Sequence, residues 1–207
     1  MIEIKHKKTG EVLLRVDLDT LAGEKLAGAK LCGADLVGAN LERTVLRNSD
    51  LRNVDFRRAN LAGASLNEAC LDGAILEFAN MAGADCTSAL FRDADLMKAN
   101  LAGAIFRYGD LNGANLTQAD LTGADMSMAD LRANFHCANL TGADLRAADL
   151  TGAVLTQANL EAADMSHAKM AGASLLGAKL TGAITASGRR HDAQAGKPAV
   201  RKWWQVW

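Results

Sequence analysis

Proline occurs once in this chain, at position 198, so no proline-fixed turns punctuate it before its C-terminal end. Aromatic residues are scarce, at 4% of the sequence, and the apolar mass is therefore small and aliphatic. The four cysteines, Cys32, Cys70, Cys86 and Cys137, form no CxxC pair. That spacing excludes the usual zinc ligand set and the disulfide framework of a small secreted domain. No apolar run approaches the roughly 18 residues of a membrane span, and the start MIEIKHKKTG lacks a signal peptide's apolar core. No transmembrane segment is expected, and the cytoplasm is the expected location. A net charge of −1 gives no global pull toward nucleic acid or an anionic membrane.

What the chain has is a period of five. A large apolar residue, here called the centre, recurs at every fifth position from Leu21 to Leu131 and again from Phe135 to Leu180, giving 33 units. Ala lies two residues before the centre in 27 of them, and 15 of the 19 glycines lie two residues after it. Residues two apart share a face of a strand, so Ala and centre point one way and the residue between them points the other. Three residues make a short strand. The other two make a corner, and Gly in the third position of the turn matches type II geometry. A chain that turns in one sense every five residues must coil, with small Ala and large centre interleaved inside. Cys86 replaces a centre and reads as a small buried hydrophobe.

The number of units per coil follows from the residue just before each centre. Asn stands there at 40, 60, 80, 100, 139 and 159, with Asp120 completing the series. A spacing of 20 means four units per coil, with the amides stacked on one face as a ladder. The series steps by 19 across LRANFHCANL, where Leu131 and Phe135 are only four apart. The coil loses a corner residue there without losing a face, and a bulge is expected beside His136 and Cys137.

Units such as ADLTG, ANLAG and ADMSM resemble the pentapeptide repeat family, whose pattern A(D/N)LXX is matched over residues 19–182. The resemblance implies an all-β fold, a right-handed quadrilateral parallel β-helix of about eight coils, roughly 40 Å long at strand spacing. It implies little about function, because a fold by itself does not fix a role. Its best-understood members resemble duplex DNA in shape and charge, bind DNA gyrase or topoisomerase IV and protect against fluoroquinolones.

Residues 1–18 read as an N-terminal β-hairpin cap: Ile2 and Ile4 alternate, Lys8-Thr9-Gly10 turns, and Val12, Leu14 and Val16 alternate on the return. A docking hairpin presenting Lys5, Lys7 and Lys8 is the functional alternative. Residues 183–207 form a C-terminal tail that holds all three tryptophans, Trp203, Trp204 and Trp207. Three indoles are too much apolar surface to leave in water. They are expected to form a lid on the last coil; the alternatives are a homodimer contact, as in gyrase-binding relatives, and an interfacial membrane anchor.

An enzyme needs converging polar groups in a concavity, and a rod packed with aliphatic side chains offers none. His6, His136, His167 and His191 are scattered, and adjacent His136 and Cys137 are a poor pair for one metal ion. No catalytic residue, cofactor or metal is expected. Outward positions stack by twenties: Arg58, Phe78 and Lys98 would sandwich a ring between two cations, and Tyr108 stacks with Met128 on the opposite side. These five are the candidate interaction surface. A third column, Arg52, Asp72, Arg92, Asn112 and Arg132, reads as a self-satisfied ladder. The repeat region carries 19 acidic and 14 basic residues, but Arg43, Arg47, Arg52, Arg57 and Arg58 crowd one coil. That collar spoils a uniform phosphate imitation, and spread round four faces it cannot meet one duplex, so no direct nucleic-acid binding is expected. The sequence thus points to a non-catalytic protein interaction scaffold, with a topoisomerase modulator as the alternative.

Overall fold

A computed structural model describes residues 1–191. Its body is a parallel β-solenoid with a square cross-section. Residue i pairs with residue i+20 from Lys25↔Val45 to Asp110↔Asp130, and with i+19 from Asn115↔Asn134 to Asp130↔Asp149. The step of 20 then resumes and runs to Asp164↔Ile184. Four units therefore complete each coil. The first face holds centres such as Leu61, Met81 and Leu101; the second, Leu66, Cys86 and Phe106; the third, Leu71, Phe91 and Leu111; the fourth, Leu76, Leu96 and Leu116. Each corner takes the number of the face it follows.

The coils interlock through backbone hydrogen bonds. Leu61 N–H donates to Asn80 O at 2.6 Å, and Asn80 N–H returns to Ala59 O at 2.9 Å, a pattern that repeats on every face. Each corner is closed by a bond from the residue three after the centre, such as Ala64 N–H to Leu61 O at 3.0 Å. Every centre except Leu131 is followed two residues later by a residue with positive φ. Fifteen of these are glycines; the other seventeen hold φ between 55° and 62° without being glycine. Left-handed φ costs an L-residue roughly 1–2 kcal/mol. The coil imposes it regardless of the residue type at the corner.

The interior is a continuous column in which nearly all centres and alanines are at or below a few percent exposure. Phe91 and Phe106 meet edge to face at 5.4 Å and 65°. Cys86 is fully buried, and burial pushes its thiol well above the ordinary range. Two of the six positions where Ala is replaced show why a polar group is tolerated. The Thr44 hydroxyl donates to Leu21 O at 2.7 Å and that of Ser49 to Leu26 O at 3.1 Å, so neither is orphaned in the apolar column.

Strands β1 (Ile2–His6) and β2 (Val12–Val16) form an antiparallel hairpin, and β1 also pairs antiparallel with β3 (Ala34–Asp35) of the first coil. Ile4 enters the core at 1% exposure. The ring of His6 stands beside Gly33, where an added Cβ would lie 2.5 Å from its Nε2. A side chain at 33 would force the His6 ring to shift.

The irregularity at Leu131 is not the bulge expected from the spacing. It is the reverse, a tightening: Ala133 N–H donates back to Leu131 O at 2.8 Å, a three-residue γ-turn in place of a corner. Ladder pairing continues through it, Asn115↔Asn134 and Asp120↔Asn139. One residue is deleted and no strand position is displaced, so His136 and Cys137 occupy an ordinary corner. Among the described residues no helix is long and apolar enough to cross a membrane. Trp203, Trp204 and Trp207 lie outside the described residues.

Candidate interaction surface

Corner residues project furthest from the rod, and there the nominated side chains lie. Arg58, Phe78 and Lys98 follow one another up the fourth corner, and Tyr108 and Met128 up the second. Second and fourth corners are diagonally opposed across the square. The five residues thus form two separate surfaces, and one compact patch is ruled out by the four-unit coil.

On the fourth corner Lys98 Nζ sits 5.3 Å from the centroid of the Phe78 ring. Arg58 makes no such contact among the described residues, so the ring carries one cation and not the expected pair. Phe78 remains 46% exposed, Tyr108 57% and Met128 55%. All three hold left-handed φ, at 58°, 60° and 59°. Val37 and Leu176 add exposed apolar side chains to the fourth corner, and Val154 to the fourth face beside it. The sequence reading missed these three. The signal was present in the residue after the centre at 37 and 176, which on most units is polar or Ala.

Around these side chains the charges are spent locally. Asp-x-Arg pairs close on themselves because residues two apart point the same way: Arg52 to Asp50 at 2.7 Å, Arg57 to Asp55 at 2.6 Å, Arg146 to Asp144 at 2.6 Å, and Arg132 to Asp130. The neighbouring guanidinium holds Asp50, Asp55 and Asp130 below the usual carboxylate range. Arg92 reaches Asp110 at 2.6 Å and Arg107 reaches Asp125, each one coil ahead. The third-corner column forms the expected ladder at one step only: Arg92 N–H donates to Asp72 Oδ1 at 3.0 Å with its guanidinium 3.9 Å from Oδ2, while Arg52 and Arg132 turn to their own strands. The arginine collar spreads over all four corners, with Arg43 on the first, Arg47 on the second, Arg52 on the third, and Arg57 and Arg58 on the fourth.

The Asn ladder on the first face forms as the spacing predicts. Asn60 Nδ2 donates to Asn40 Oδ1 at 3.2 Å, Asn80 to Asn60 and Asn100 to Asn80 at 3.0 Å. Each Oδ1 also accepts the N–H two residues on, as Ala82 N to Asn80 at 3.3 Å, which leaves little unspent hydrogen-bonding capacity. On the fourth corner His136 Nδ1 meets Thr156 Oγ1 at 2.7 Å, and the Cys137 thiol contacts His136 Nε2 at 3.3 Å and Gln157 Oε1 at 3.2 Å. No third metal-ligating side chain joins them among the described residues.

Square coils, five-residue units and left-handed corners define the class. The chain belongs to the pentapeptide repeat family: the model for pentapeptide repeats matches in eight copies spanning residues 25–77 and 79–184. No curated protein sequence matches significantly. Among solved structures, HetL, a pentapeptide repeat protein involved in heterocyst differentiation regulation in the cyanobacterium Nostoc sp. strain PCC 7120, is 31% identical. That match covers 82% of this chain and 92% of HetL, with a TM-score of 0.35. Full-length QnrB1, a plasmid-mediated fluoroquinolone resistance protein, is 20% identical over 71% of this chain and 91% of its own, with a TM-score of 0.37. A pentapeptide repeat protein of the Arabidopsis thaliana thylakoid lumen is 27% identical over 54% of this chain and 64% of its own, with a TM-score of 0.25.

Proposed function

We propose that this protein is a non-catalytic scaffold that binds another protein through its corners. One observation carries the reading. Phe78, Tyr108 and Met128 are large apolar groups held at left-handed φ and about half exposed. Each is costly twice, in left-handed backbone conformation and in exposed apolar surface. Such side chains are the anchors that interfaces favour. Because the two corners are opposed, the rod offers two independent contact lines. The test is affinity capture from the native host with the intact chain, with Phe78→Ser and with Tyr108→Ser, beside a melting curve for each. Loss of one specific partner with unchanged melting supports the reading; an identical set of bound proteins for all three chains would falsify it.

A topoisomerase modulator acting by imitation of DNA is the second reading. Two carboxylate rows flank the second corner, Asp125, Asp144 and Asp164 on one side and Asp110, Asp130 and Asp149 on the other. Five of the six have an Arg or Lys of this chain within 3.3 Å, which leaves the rows far less negative than a phosphate backbone. A gyrase supercoiling assay decides: absence of both inhibition and fluoroquinolone protection at micromolar protein ends this reading.

A further inference from the structure

The fourth corner carries a pair that the docking surface does not use, His136 followed by Cys137. Consecutive residues of a strand point apart, but at a corner the chain turns between them. Cys137 holds φ 57°, and its sulfur lies 3.3 Å from His136 Nε2. The other ring nitrogen, Nδ1, is 2.7 Å from Thr156 Oγ1 on the next coil. A nucleophile, a base within reach of it and a third group that orients the base are the parts of an activated thiol.

Register explains why this threonine is available. The hydroxyls of Thr117 and Thr141 donate to Asn115 and Asn139, two residues before them, at 2.7 Å. Two residues before Thr156 stands Val154, which accepts nothing, and Oγ1 is left to face the ring. Asn134 Oδ1 fixes the base from below by accepting His136 N–H at 3.0 Å. With Thr156 Oγ1 and Cys137 Sγ both in place, each N–H of a protonated imidazole has an acceptor. Gln157 completes the surround: its Oε1 accepts from the thiol at 3.2 Å, and the same amide turned over offers an N–H to a thiolate.

The other cysteines are built differently. Burial pushes the thiols of Cys86 and Cys70 up, toward the unreactive form. Cys32 is exposed on the third corner, where its neighbour one coil on is Arg52 and not a histidine. Cys86 is sealed in the column, and Cys70 stands more than three coils, about 14 Å, before Cys137. A disulfide joins Cα atoms no more than about 7 Å apart, so Cys137 can form one only with another molecule.

We propose that Cys137 is a thiol–disulfide exchange site that takes up half of a low-molecular-weight disulfide, with His136 as its base and Thr156 as the positioning residue. Nδ1–H donates to Thr156, which leaves Nε2 to take the proton of the thiol. The thiolate then attacks one sulfur of the disulfide. As the new S–S bond forms the old one breaks, and its electron pair leaves on the second sulfur. That leaving thiolate takes the proton back from Nε2, so Cys137 is oxidised, one small thiol is released and His136 ends as it began. No second cysteine of the chain can resolve the mixed disulfide, which persists until an external thiol removes it. This chemistry does not depend on whether the corner docks a partner.

The test treats the full chain with 2-hydroxyethyl disulfide at neutral pH, quenches with acid and reads each cysteine by peptide mass spectrometry. The reagent is uncharged, so neighbouring charges do not sort the thiols. Cys137 is expected to be capped about tenfold faster than Cys32, and dithiothreitol should free it again. His136→Gln should slow Cys137 about tenfold, with the rate at Cys32 and the melting curve unchanged. Thr156→Val should slow it about threefold, and Thr156→Ser, which keeps the hydroxyl, should restore the parent rate. Equal capping of Cys32 and Cys137, or a Cys137 rate untouched by His136→Gln, overturns the proposal. A Thr156→Ser chain as slow as Thr156→Val overturns the part assigned to the hydroxyl.

Discussion

The first and second corners of this solenoid have the same backbone and opposite chemistry. Between the charged pairs Glu42-Arg43 and Glu161-Ala162, the first corner runs Ala62-Gly63, Ala82-Gly83, Ala102-Gly103, Thr122-Gly123 and Thr141-Gly142, with almost no side chain to present. Along the second run Arg107-Tyr108, Ser127-Met128, Arg146-Ala147 and Ser166-His167. Both hold positive φ and bond to neighbouring coils in the same way: Gly103 N–H reaches Thr122 O at 2.9 Å, and Met128 N–H reaches Arg146 O at 2.9 Å. The coil therefore needs a conformation at each corner and is indifferent to the side chain that adopts it. What stands at a corner is left over for recognition.

That separation of inside from corner can be broken in four ways. The largest effect belongs to the column. Phe106→Ala, at 0% exposure and packed on Phe91, should lower stability by about 3–5 kcal/mol in denaturant titration. A comparable loss from Tyr108→Ala would erase the distinction between column and corner.

Next comes a corner where side-chain indifference fails. Gly113 sits at φ 75°, and an added Cβ would stand within van der Waals overlap of the Asp93 carboxylate, 2.3 Å from Oδ1. Gly113→Val should cost about 2 kcal/mol, and Asp93→Ala should recover part of it by removing the clash but not the strain. Full recovery in the double variant would show that φ imposes no cost.

A smaller effect concerns the paired carboxylates. Asp55 is 5% exposed and accepts from Arg57, so Asp55→Asn should cost about 1–2 kcal/mol. Asp50, Asp55 and Asp130 are depressed in the folded chain, so they bind protons more readily unfolded. Their contribution is complete above the unfolded carboxylate value near about 4 and is lost as pH falls through the lower folded values. Melting temperature should accordingly be level from neutral pH to about 5 and fall below about 4. A decline that begins near neutrality would point to other groups.

The smallest effect is Tyr108→Gly, which relieves left-handed strain while entropically freeing the unfolded chain. The two terms oppose, so stability should move by no more than about 0.5 kcal/mol in either direction while partner binding is lost.

The five-residue period, the four-unit coil and the stacked asparagines were legible in the sequence because each rests on a spacing that the chain states directly. The fate of the arginines was not. Arg52 and Arg92 occupy equivalent positions, yet one turns to its own strand and the other to the coil ahead. The reason is local: Asp50 stands two residues before Arg52, whereas Leu90 stands there for Arg92. The pinch was legible as a missing residue but not as a γ-turn, since counting residues cannot say whether a strand bows out or a corner tightens.

By itself the sequence determined the architecture of this protein, because one small and one large apolar residue per unit leave a single way to bury both on one side of a chain that turns every five residues. Only the tertiary structure decided how the outward side chains pair. Stacking by twenties put Phe78 beside Lys98 and Tyr108 beside Met128 on the opposite side, but the single cation on Phe78 and the aspartate that each arginine reaches depend on side-chain geometry between coils.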